Sequence, residues 1–353
     1  MQTKKGALVI LTPGFPANES EENWIPFQQS LLRSIKKLFP GTRIFVLSFI
    51  YPHAVSMYQW YGIDVFSFNG SEYKKIKRPL LWRNVWRQLK TIHEEYGIAA
   101  ILSLWCGECS LVGRYFAKRN AVKHFTWICG QDARKSNRLV KFIRPAPGEL
   151  IAMSDFLVGE FYTNHHIKPA HMIPGGVDRS LYIENKLARD IDIIGAGSLT
   201  GLKQYDIFVD IVAGLRKQLP GIKTVICGDG EEAVKLKRMR RDLSLEKNLQ
   251  LPGMLRPGET ITMMQRSKLF LHPSSYEGFC MACYEALYAG AHVISFVKTS
   301  NHEIRHWHVV KSKEEMQEKA FELLRDNATT YESVSTYVMD DSATAMMKLF
   351  GFS

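Results

Sequence analysis

The chain has 353 residues, 46% of them hydrophobic and 23% charged, with a net charge of +11. Because this length is too great for one ordinary hydrophobic core, we expect two domains. The composition is typical of a soluble globular protein, and no run of 18 apolar residues occurs that could span a membrane. Six cysteines are too few for a disulfide scaffold in a chain of this length, which indicates a reducing, cytoplasmic location.

In the first half, short β-rich runs alternate with helical patterns, an order that is typical of parallel sheets. Apolar residues at helical spacing predict a helix over residues 26–38. Strands are predicted at residues 7–12, 42–48, 99–104, 124–128 and 150–152. The first half therefore has the pattern of one doubly wound α/β domain.

The first half also carries the excess positive charge. Residues 1–180 hold 24 Lys and Arg against 13 Asp and Glu, whereas residues 181–353 hold 22 of each. An asymmetry of this kind concerns partners rather than fold, and it predicts that the first half meets an anionic partner. The alternative is a random excess of lysine on the surface.

The densest basic segment, residues 74–90, is also aromatic and amphipathic. Its apolar residues share one face of a predicted helix, and the cations Arg83, Arg87 and Lys90 lie on the other. On an anionic membrane, Trp82 and Trp86 would lie at the interface and the cations would meet lipid head groups. The alternative is a helix whose apolar face packs on the protein core. Nucleic acid is not expected as a partner, since no known binding module occurs.

The second half repeats the alternation, with predicted strands at residues 192–196, 222–227, 249–251, 269–272 and 292–296. A polar, charge-dense stretch at residues 178–190 is predicted to be the linker. We therefore expect an α/β protein with two doubly wound, Rossmann-like domains, residues 1–180 and residues 190–335. Ligands of such sheets bind at the carboxyl ends of the strands.

Residues 273–296 carry the most informative functional pattern. An apolar strand leads into Pro-Ser-Ser, a glycine and a predicted helix, and a second strand follows. Such a loop aims backbone N–H groups and the positive end of the helix dipole at an anion. Glu277 and Glu285 are eight residues apart, so they lie on nearly the same helical face and can accept hydrogen bonds from hydroxyl groups. A nucleotide sugar fits this arrangement, and the alternative is a capped helix with two solvated glutamates.

This segment resembles the donor-site signature of retaining GT-B glycosyltransferases of the group 1 type, also called family 4. Ten residues match that signature: Pro273, Ser274, Glu277, Gly278, Phe279, Glu285, Ala286, Gly290, Val293 and Ile294. The resemblance implies an N-terminal acceptor domain and a C-terminal nucleotide-sugar domain that face a cleft. It also implies a last helix, within residues 336–353, that crosses back to the first domain.

A second motif occupies residues 192–203. It resembles the family's Gly-Arg-Leu and Lys-Gly loop, in which an arginine and a lysine neutralise the donor pyrophosphate. Lys203 lies near the family's lysine, whereas Ser198 stands at the arginine position. Taken without the resemblance, Gly195, Gly197 and Thr200 form a dinucleotide fingerprint that lacks its third glycine. A purely structural turn is a third interpretation.

Further motifs match the family in order and spacing. Gly228 and Gly230 resemble its Gly-x-Gly at the nucleobase, and Met254 and Leu255 resemble a segment whose backbone contacts the base. Near the N-terminus, Gly14 lies in a loop that resembles the first donor-facing loop, without the usual glycine pair.

On the acceptor side, residues 129–132 resemble the family's His-Gly-x-Asp motif. Cys129 replaces the histidine, so no role of that histidine carries over, and Asp132 either faces the cleft or caps a turn. Two Cys-x-x-Cys pairs begin at Cys106 and Cys280, much farther apart than the roughly 15–20 residues between the pairs of a zinc ribbon. Metal binding at these pairs is therefore not expected.

The resemblance implies a retaining, metal-independent glycosyltransferase of the hexosyltransferase type, with a UDP-, GDP- or ADP-linked sugar as donor. No cofactor and no metal ion are expected. Glu277 and Lys203 are the catalytic candidates, with Glu277 on the sugar hydroxyls and Glu285 on the ribose hydroxyls. The donor phosphates would be bound by Lys203 and by the backbone amides of Gly278, Phe279 and Cys280.

The expected acceptor is a glycan or a lipid-linked glycan. An anionic acceptor, or the inner face of the membrane with the protein bound peripherally, would account for the positive charge. One alternative is a dinucleotide-dependent oxidoreductase or epimerase built on residues 195–200, which leaves the two glutamates unexplained. The other is a non-catalytic protein that binds a sugar nucleotide or a glycan, suggested by Ser198 and Cys129.

Overall fold

The computed structural model describes residues 6–185 and 187–352, and the side chain of Lys75 lies outside what it describes. The chain forms two compact units, Met1–Gly175 with Met339–Ser353 and Gly176–Val338. Each unit is a mostly parallel sheet with helices packed against it. The predicted fold class, an α/β protein with two Rossmann-like sheets, is confirmed.

The first unit is built on an eight-stranded sheet. The strands run in the order β3-β4-β2-β1-β5-β6-β7-β8, and β3 alone is antiparallel to its neighbour. The elements of this unit, up to residue 175, are β1 (Ala7–Gly14), α1 (Pro26–Leu38), β2 (Ile44–Tyr51), β3 (Val55–Trp60), β4 (Ile63–Phe68), α2 (Arg78–Tyr96), β5 (Ile98–Leu104), α3 (Glu108–Asn120), β6 (Lys123–Ile128), α4 (Val140–Ile143), β7 (Leu150–Ala152), α5 (Asp155–His165) and β8 (His171–Met172).

The amphipathic helix of the basic segment is α2, and its apolar face packs on the core of the first unit. Leu81 and Val85 are fully buried, one helical turn apart, beneath the sheet's central strands. Trp82 and Trp86 are half-buried against the same core, and the Trp86 ring meets Phe116 edge to face, with ring centroids 5.1 Å apart. The core-packing interpretation of this face is therefore confirmed.

The second unit is built on six parallel strands in the order β11-β10-β9-β12-β13-β14. The chain winds outward from β9 in both directions, so β9 and β12 flank the point where the strand order reverses. Ligands of open α/β sheets bind at the carboxyl ends of strands at such a point. The elements are β9 (Ile191–Ala196), α6 (Tyr205–Arg216), β10 (Thr224–Cys227), α7 (Ala233–Asp242), β11 (Leu249–Gly253), α8 (Pro257–Gln265), β12 (Ser267–His272), α9 (Met281–Tyr288), β13 (His292–Ser295), β14 (Trp307–Val309) and α10 (Lys313–Arg325).

The last helix, α11 (Met339–Phe350), belongs to the first unit. It packs along α1, where Lys37 Nζ lies 2.9 Å from Asp340 Oδ2. At its other end the ring of Phe350 stacks on Phe125 at 5.2 Å, and the Lys123 ammonium donates to the Phe350 carbonyl. No helix in the described part of the chain is both long and apolar enough to cross a bilayer.

Two features differ from the sequence expectations. Residues 178–190 are not a free linker, because the described part of this segment is bound to the second unit. The Tyr182 hydroxyl donates to the Glu285 carbonyl, and the Gln265 amide bonds both backbone groups of Ile183. The hairpin of β3 and β4 was not predicted, since its turn uses Tyr61 at a positive φ of 44° before Gly62.

Candidate functional site

The centre of the candidate site is a buried group of charges at the carboxyl ends of β9 and β12. Lys203, in the turn after β9, donates to Glu277 Oε1 at 2.5 Å. Nε2 of His272, the last residue of β12, lies 2.7 Å from the same oxygen. Only 10% of the Glu277 side chain is exposed. One carboxylate oxygen thus lies within hydrogen-bond distance of a lysine that follows β9 and of the histidine that ends the neighbouring strand β12.

Backbone hydrogen bonds hold the two loops of this group together. The Leu202 carbonyl accepts from the Ser275 amide at 3.1 Å and from the hydroxyls of Ser274 and Ser275. Ser274 is fully buried, and its hydroxyl also lies 3.1 Å from the Tyr276 carbonyl. The serines therefore fix the distance between Lys203 and the β12–α9 loop, residues 273–280.

The electrostatics favour an ionised Glu277. Burial by itself would raise the pKa of Glu277, but the hydrogen bond from His272 and the charge of Lys203 lower that pKa to about 2. Burial would lower the pKa of His272, and the neighbouring Cys280 and Glu277 raise it to about 9. The carboxylate is therefore ionised and oriented throughout the physiological pH range.

Two thiols lie beside this group. Cys280 Sγ is 2.6 Å from Cys283 Sγ, and both residues are buried. Burial raises the pKa of Cys283 well above its usual range. For Cys280, burial is opposed by the hydrogen bond with Cys283 and by the charge of His272, and the pKa falls to about 6.

The β12–α9 loop presents backbone N–H groups at the start of α9. The amides of Phe279 and Cys280 donate no hydrogen bond within the described residues. Cys280 takes the left-handed conformation at φ 59°. The family signature that this segment resembles has a glycine at that position. This conformation turns the chain into α9, at the positive end of the helix dipole, so the loop can bind an anion such as phosphate.

Glu285 lies about one turn into α9 and is half-buried. Its carboxylate has no hydrogen-bond partner among the described residues, although its carbonyl accepts from Tyr182. Burial, with the charges of Cys280 and Asp178, raises the pKa of Glu285 to about 7. The carboxylate is thus available to accept from a ligand's hydroxyls.

Three glycines of the second unit, Gly197, Gly228 and Gly230, donate their amides to groups of the protein itself, so these amides are not free to bind a ligand. The amides of Gly197 and Gly228 donate to the carbonyls of Cys227 and Gly253, and the Gly230 amide donates to the Asp229 side chain. A Cβ on Gly228 would lie 1.9 Å from the Gly197 carbonyl oxygen, so only glycine permits this approach.

The other predicted residues of the second unit lie at the edges of these loops. Ser198 is exposed in the loop after β9. Met254 and Leu255 follow β11, the edge strand, with 54% of Met254 exposed. Among the described residues, the side-chain hydrogen bonds of Glu277 go to Lys203 and His272 and not to these three residues.

The predicted residues of the first unit have local partners there. The Asp132 carboxylate accepts from the amides of Cys106, Cys129 and Gly130, which is a turn-capping arrangement. Cys129 Sγ donates to the Trp127 carbonyl, and burial raises the pKa of that thiol well above its usual range. Gly14 is buried where a Cβ would meet the Trp24 ring at 2.8 Å.

Sequence reasoning missed two residues of the site. His272 was counted only as the end of an apolar strand, although a polar residue at the carboxyl end of a central strand is a signal for a site. Tyr205, the first residue of α6, is 2% exposed, and its hydroxyl has no hydrogen-bond partner among the described residues. No pattern in the sequence indicated its position.

Residues 182–338 match the family described as glycosyl transferases group 1. This range is nearly all of the second unit. The gpi3 subunit of phosphatidylinositol N-acetylglucosaminyltransferase from Schizosaccharomyces pombe is 25% identical over 203 residues, which are 55% of this chain and 44% of the yeast protein. The match therefore spans less than half of that relative's length.

Solved structures share the fold. Anabaena HepE, in complex with UDP and glucose, superposes with a TM-score of 0.68 at 16% identity, over 98% of this chain and 95% of its own. Sucrose-phosphate synthase of Thermosynechococcus elongatus gives a TM-score of 0.71 at 14% identity, over 98% of each chain. The two Rossmann-like units and this likeness define a protein of the GT-B fold class. Over its second unit, the chain is similar to the glycosyl transferases group 1 family, and this similarity confirms the resemblance seen in residues 273–296.

Proposed function

We propose that the protein is a retaining glycosyltransferase that moves a sugar from a nucleotide diphosphate donor to an acceptor hydroxyl. The observation that carries this proposal is the ionised Glu277, held between Lys203 and His272 beside the open amides of the β12–α9 loop. A cation, free amides and an oriented carboxylate are the groups that a sugar pyrophosphate needs.

Each group has a distinct role in the proposal. Lys203 has three N–H donors, so it can keep Glu277 and also bind the donor phosphates with the amides of Phe279 and Cys280. The amide of Gly278, one residue earlier in the loop, is assigned to the same phosphates. Glu277 accepts hydrogen bonds from the sugar hydroxyls.

In the proposed reaction, the bond between the sugar C1 and the phosphate oxygen breaks while C1 bonds to the acceptor oxygen on the same face. The acceptor's proton passes to the departing phosphate, so no protein nucleophile is needed. Lys203 and the loop amides stabilise the charge that develops on the pyrophosphate, in place of a divalent ion. Ser198, at the family's arginine position, leaves Lys203 as the cation assigned to this task.

We propose a UDP-linked hexose or N-acetylhexosamine as the donor. HepE is described with UDP and glucose, and the yeast relative is named for transfer of N-acetylglucosamine. Glu285 is assigned to the ribose hydroxyls, because its carboxylate has no partner of its own. GDP- and ADP-linked sugars are the competing donors.

Thermal shift tests the donor. We expect a UDP sugar to raise the unfolding temperature with no added Mg²⁺ or Mn²⁺, since a ligand at 100 times its Kd stabilises by about 2.7 kcal/mol. GDP sugars, ADP sugars and NADH serve as comparisons. A shift with NADH alone would favour the oxidoreductase alternative. A requirement for Mg²⁺ or Mn²⁺ would contradict the role of Lys203 and the amides.

We further propose an anionic acceptor, lipid-linked and presented at an anionic bilayer. The basic turn before α2 is the candidate contact: Ile76 is 94% exposed and Leu80 is 50% exposed, next to the exposed Lys74 and Lys77. Trp82 and Trp86 do not serve as anchors here, because they pack on the core. Each cation near an anionic surface contributes on the order of 1 kcal/mol.

Vesicle binding tests this surface. We expect the protein to sediment with phosphatidylserine vesicles but not with phosphatidylcholine vesicles, and to be released by salt because the Debye length is about 8 Å at physiological ionic strength. The double variant Lys74→Glu, Lys77→Glu should lose this binding, whereas Lys237→Glu on α7 of the second unit should keep it. Equal behaviour of the wild type on both vesicle types would contradict the proposal.

A further inference from the structure

Three metal-ligating side chains meet beneath the β12–α9 loop. A ring nitrogen of His272 and the sulfurs of Cys280 and Cys283 all lie within 4.8 Å of one another, and all three residues are buried. Sequence spacing gave no reason to expect a metal at this Cys-x-x-Cys pair, because the nearest other pair is far away in the chain. Folding supplies His272 as a third ligand from the end of β12.

Two buried polar atoms near this cluster lack partners. His272 Nδ1 and the Tyr205 hydroxyl have no hydrogen-bond partner among the described residues, although His272 is 1% and Tyr205 2% exposed. Burial raises the pKa of the Tyr205 hydroxyl well above its usual range, with smaller contributions from Glu277, Cys280 and Cys283. A buried polar atom without a partner costs about 1–3 kcal/mol, so a bound ion and its thiolates would satisfy what the protein leaves open.

The Nε2 atom of His272 already has the kind of hydrogen-bond partner that metal-binding histidines have. His272 Nε2 bonds Glu277 Oε1 at 2.7 Å, which leaves Nδ1 as the free nitrogen. Metal-binding histidines almost always donate their second ring N–H to a carboxylate, a carbonyl or a water, which fixes the tautomer. The carboxylate and imidazole of this site have that relationship before any ion is bound.

The charges also balance. With His272 neutral, as a metal ligand must be, two thiolates and the Glu277 carboxylate carry three negative charges, and a divalent cation with the Lys203 ammonium carries three positive ones. Buried charges are tolerated when they are compensated in this way. A divalent cation would therefore leave the buried group neutral.

We propose that His272, Cys280 and Cys283 bind a thiophilic divalent cation of the zinc type. Two sulfurs and an imidazole select zinc over Mg²⁺, Ca²⁺ or Mn²⁺, which prefer oxygen ligands. On binding, the thiols and the Nδ1 position of the His272 imidazolium give up their protons to solvent, because thiolate and neutral imidazole are the ligand forms. The sulfurs, now 2.6 Å apart, must separate by about 1 Å, because two sulfurs at about 2.3 Å from a tetrahedral ion lie roughly 3.8 Å apart.

The ion would join three segments that the proposed phosphate site uses. It would connect the end of β12, the β12–α9 loop and the first turn of α9, and so hold the loop amides in place. The metal proposal does not rest on the proposed function, since metal content is measured without any donor. A protein that binds the ion and no nucleotide sugar would refute only the transferase proposal.

Cobalt substitution of the full-length, reduced protein tests the site. We expect one equivalent of Co²⁺ per chain, with a thiolate-to-cobalt charge-transfer band and the intense visible bands of tetrahedral coordination. Zn²⁺ should displace it, and Mg²⁺ should not. Cys283→Ser should weaken Co²⁺ binding at least 10-fold and reduce the charge-transfer band, whereas Cys227→Ser, at another buried cysteine of the same unit, should change neither.

A second variant covers the case in which Cys283→Ser does not fold. Cys280→Gly suits the positive φ of that position and removes one sulfur, so it should also reduce the charge-transfer band. Tyr205→Phe should weaken binding about 10-fold, as loss of a group that supports a ligand does. The proposal is overturned by a reduced wild-type protein that takes up no stoichiometric Co²⁺, or by an octahedral cobalt spectrum. A cobalt spectrum that Cys280→Gly leaves unchanged would also overturn it.

Discussion

At the scale of single residues, Glu277 and Glu285 have opposite surroundings. Glu277 is held by Lys203 and His272 and is ionised, whereas the Glu285 carboxylate has no partner within the described residues. Removing Glu277 should cut turnover of a UDP sugar by 10²-fold or more and leave the affinity for UDP nearly unchanged, because its assigned partner is the sugar. Steady-state kinetics and calorimetric titration of Glu277→Gln measure the two quantities. Wild-type turnover in this variant would rule out its role.

Glu285→Gln should lower the affinity for UDP, which is the quantity that Glu277→Gln leaves nearly unchanged. A hydrogen bond to a charged group contributes about 1.5–3 kcal/mol, so the affinity for UDP should fall by roughly 10- to 150-fold. Titration with UDP and with free glucose separates the effects, since binding of the sugar alone should not change. Unaltered UDP binding would remove Glu285 from the ribose site.

At the scale of elements, the loops after β9, β10 and β11 depend on one close approach. Gly228→Ala would place a Cβ 1.9 Å from the Gly197 carbonyl oxygen at a φ of 144°, so we expect a loss of more than about 2 kcal/mol of unfolding free energy. Gly221→Ala, at an exposed turn with no heavy atom within 4 Å, should change stability by less than about 0.5 kcal/mol. Urea unfolding compares the two variants, and equal stability would contradict the packing described.

The strands β13 and β14 form a histidine cluster that predicts acid sensitivity. His292 bonds the Thr330 carbonyl through Nε2 and His308 through Nδ1, and its ring stacks on His306 at 4.0 Å. Burial and the charges of neighbouring histidines lower the pKa of His308 to about 4 and lower the pKa of His306, and burial lowers the pKa of His292. The folded protein keeps these groups neutral, so protonation favours the unfolded chain.

The sign of the effect follows from these lowered pKa values. The contribution of these neutral histidines to the free energy of unfolding is fully present above the ordinary histidine pKa of about 6.5 and is lost as pH falls toward 4. The urea midpoint should therefore decrease between about pH 7.5 and pH 5, and His308→Gln, which keeps a donor for His292, should decrease less. The exposed His302→Gln should behave as the wild type. A midpoint that His308→Gln leaves equally dependent on pH would contradict this account.

The positions of several strands and helices could be predicted from the sequence, whereas one hairpin and the contact between the two central charges of the site could not. Buried strands such as β1 and β12 are short apolar runs, and α1 has clear helical spacing, so their positions followed from pattern. The β3–β4 hairpin did not, because its turn places Tyr61 at a positive φ, which sequence rules assign to glycine or asparagine. Lys203 and Glu277 meet because β9 and β12 are neighbours in the sheet, and strand order is not read from local patterns.

At the scale of the whole molecule, charge and site are divided between the two units. The first unit holds 24 Lys and Arg against 14 Asp and Glu, and the second holds 22 against 21. The charge group assigned to the donor lies in the nearly neutral unit, and the exposed basic turn lies in the positive one. This division is why the acceptor, rather than the donor, is proposed to account for the excess charge.

The formation of UDP from UDP sugars, with membrane lipid extract as the acceptor source, tests the central claim most directly. We expect radiolabelled sugar to enter the lipid fraction with UDP released in equal amount and the anomeric configuration retained. Glu277→Gln should reduce both products by 10²-fold or more. Tight binding of the UDP sugar with neither UDP release nor labelled product from the wild type would contradict the account and identify a binding protein instead of a transferase.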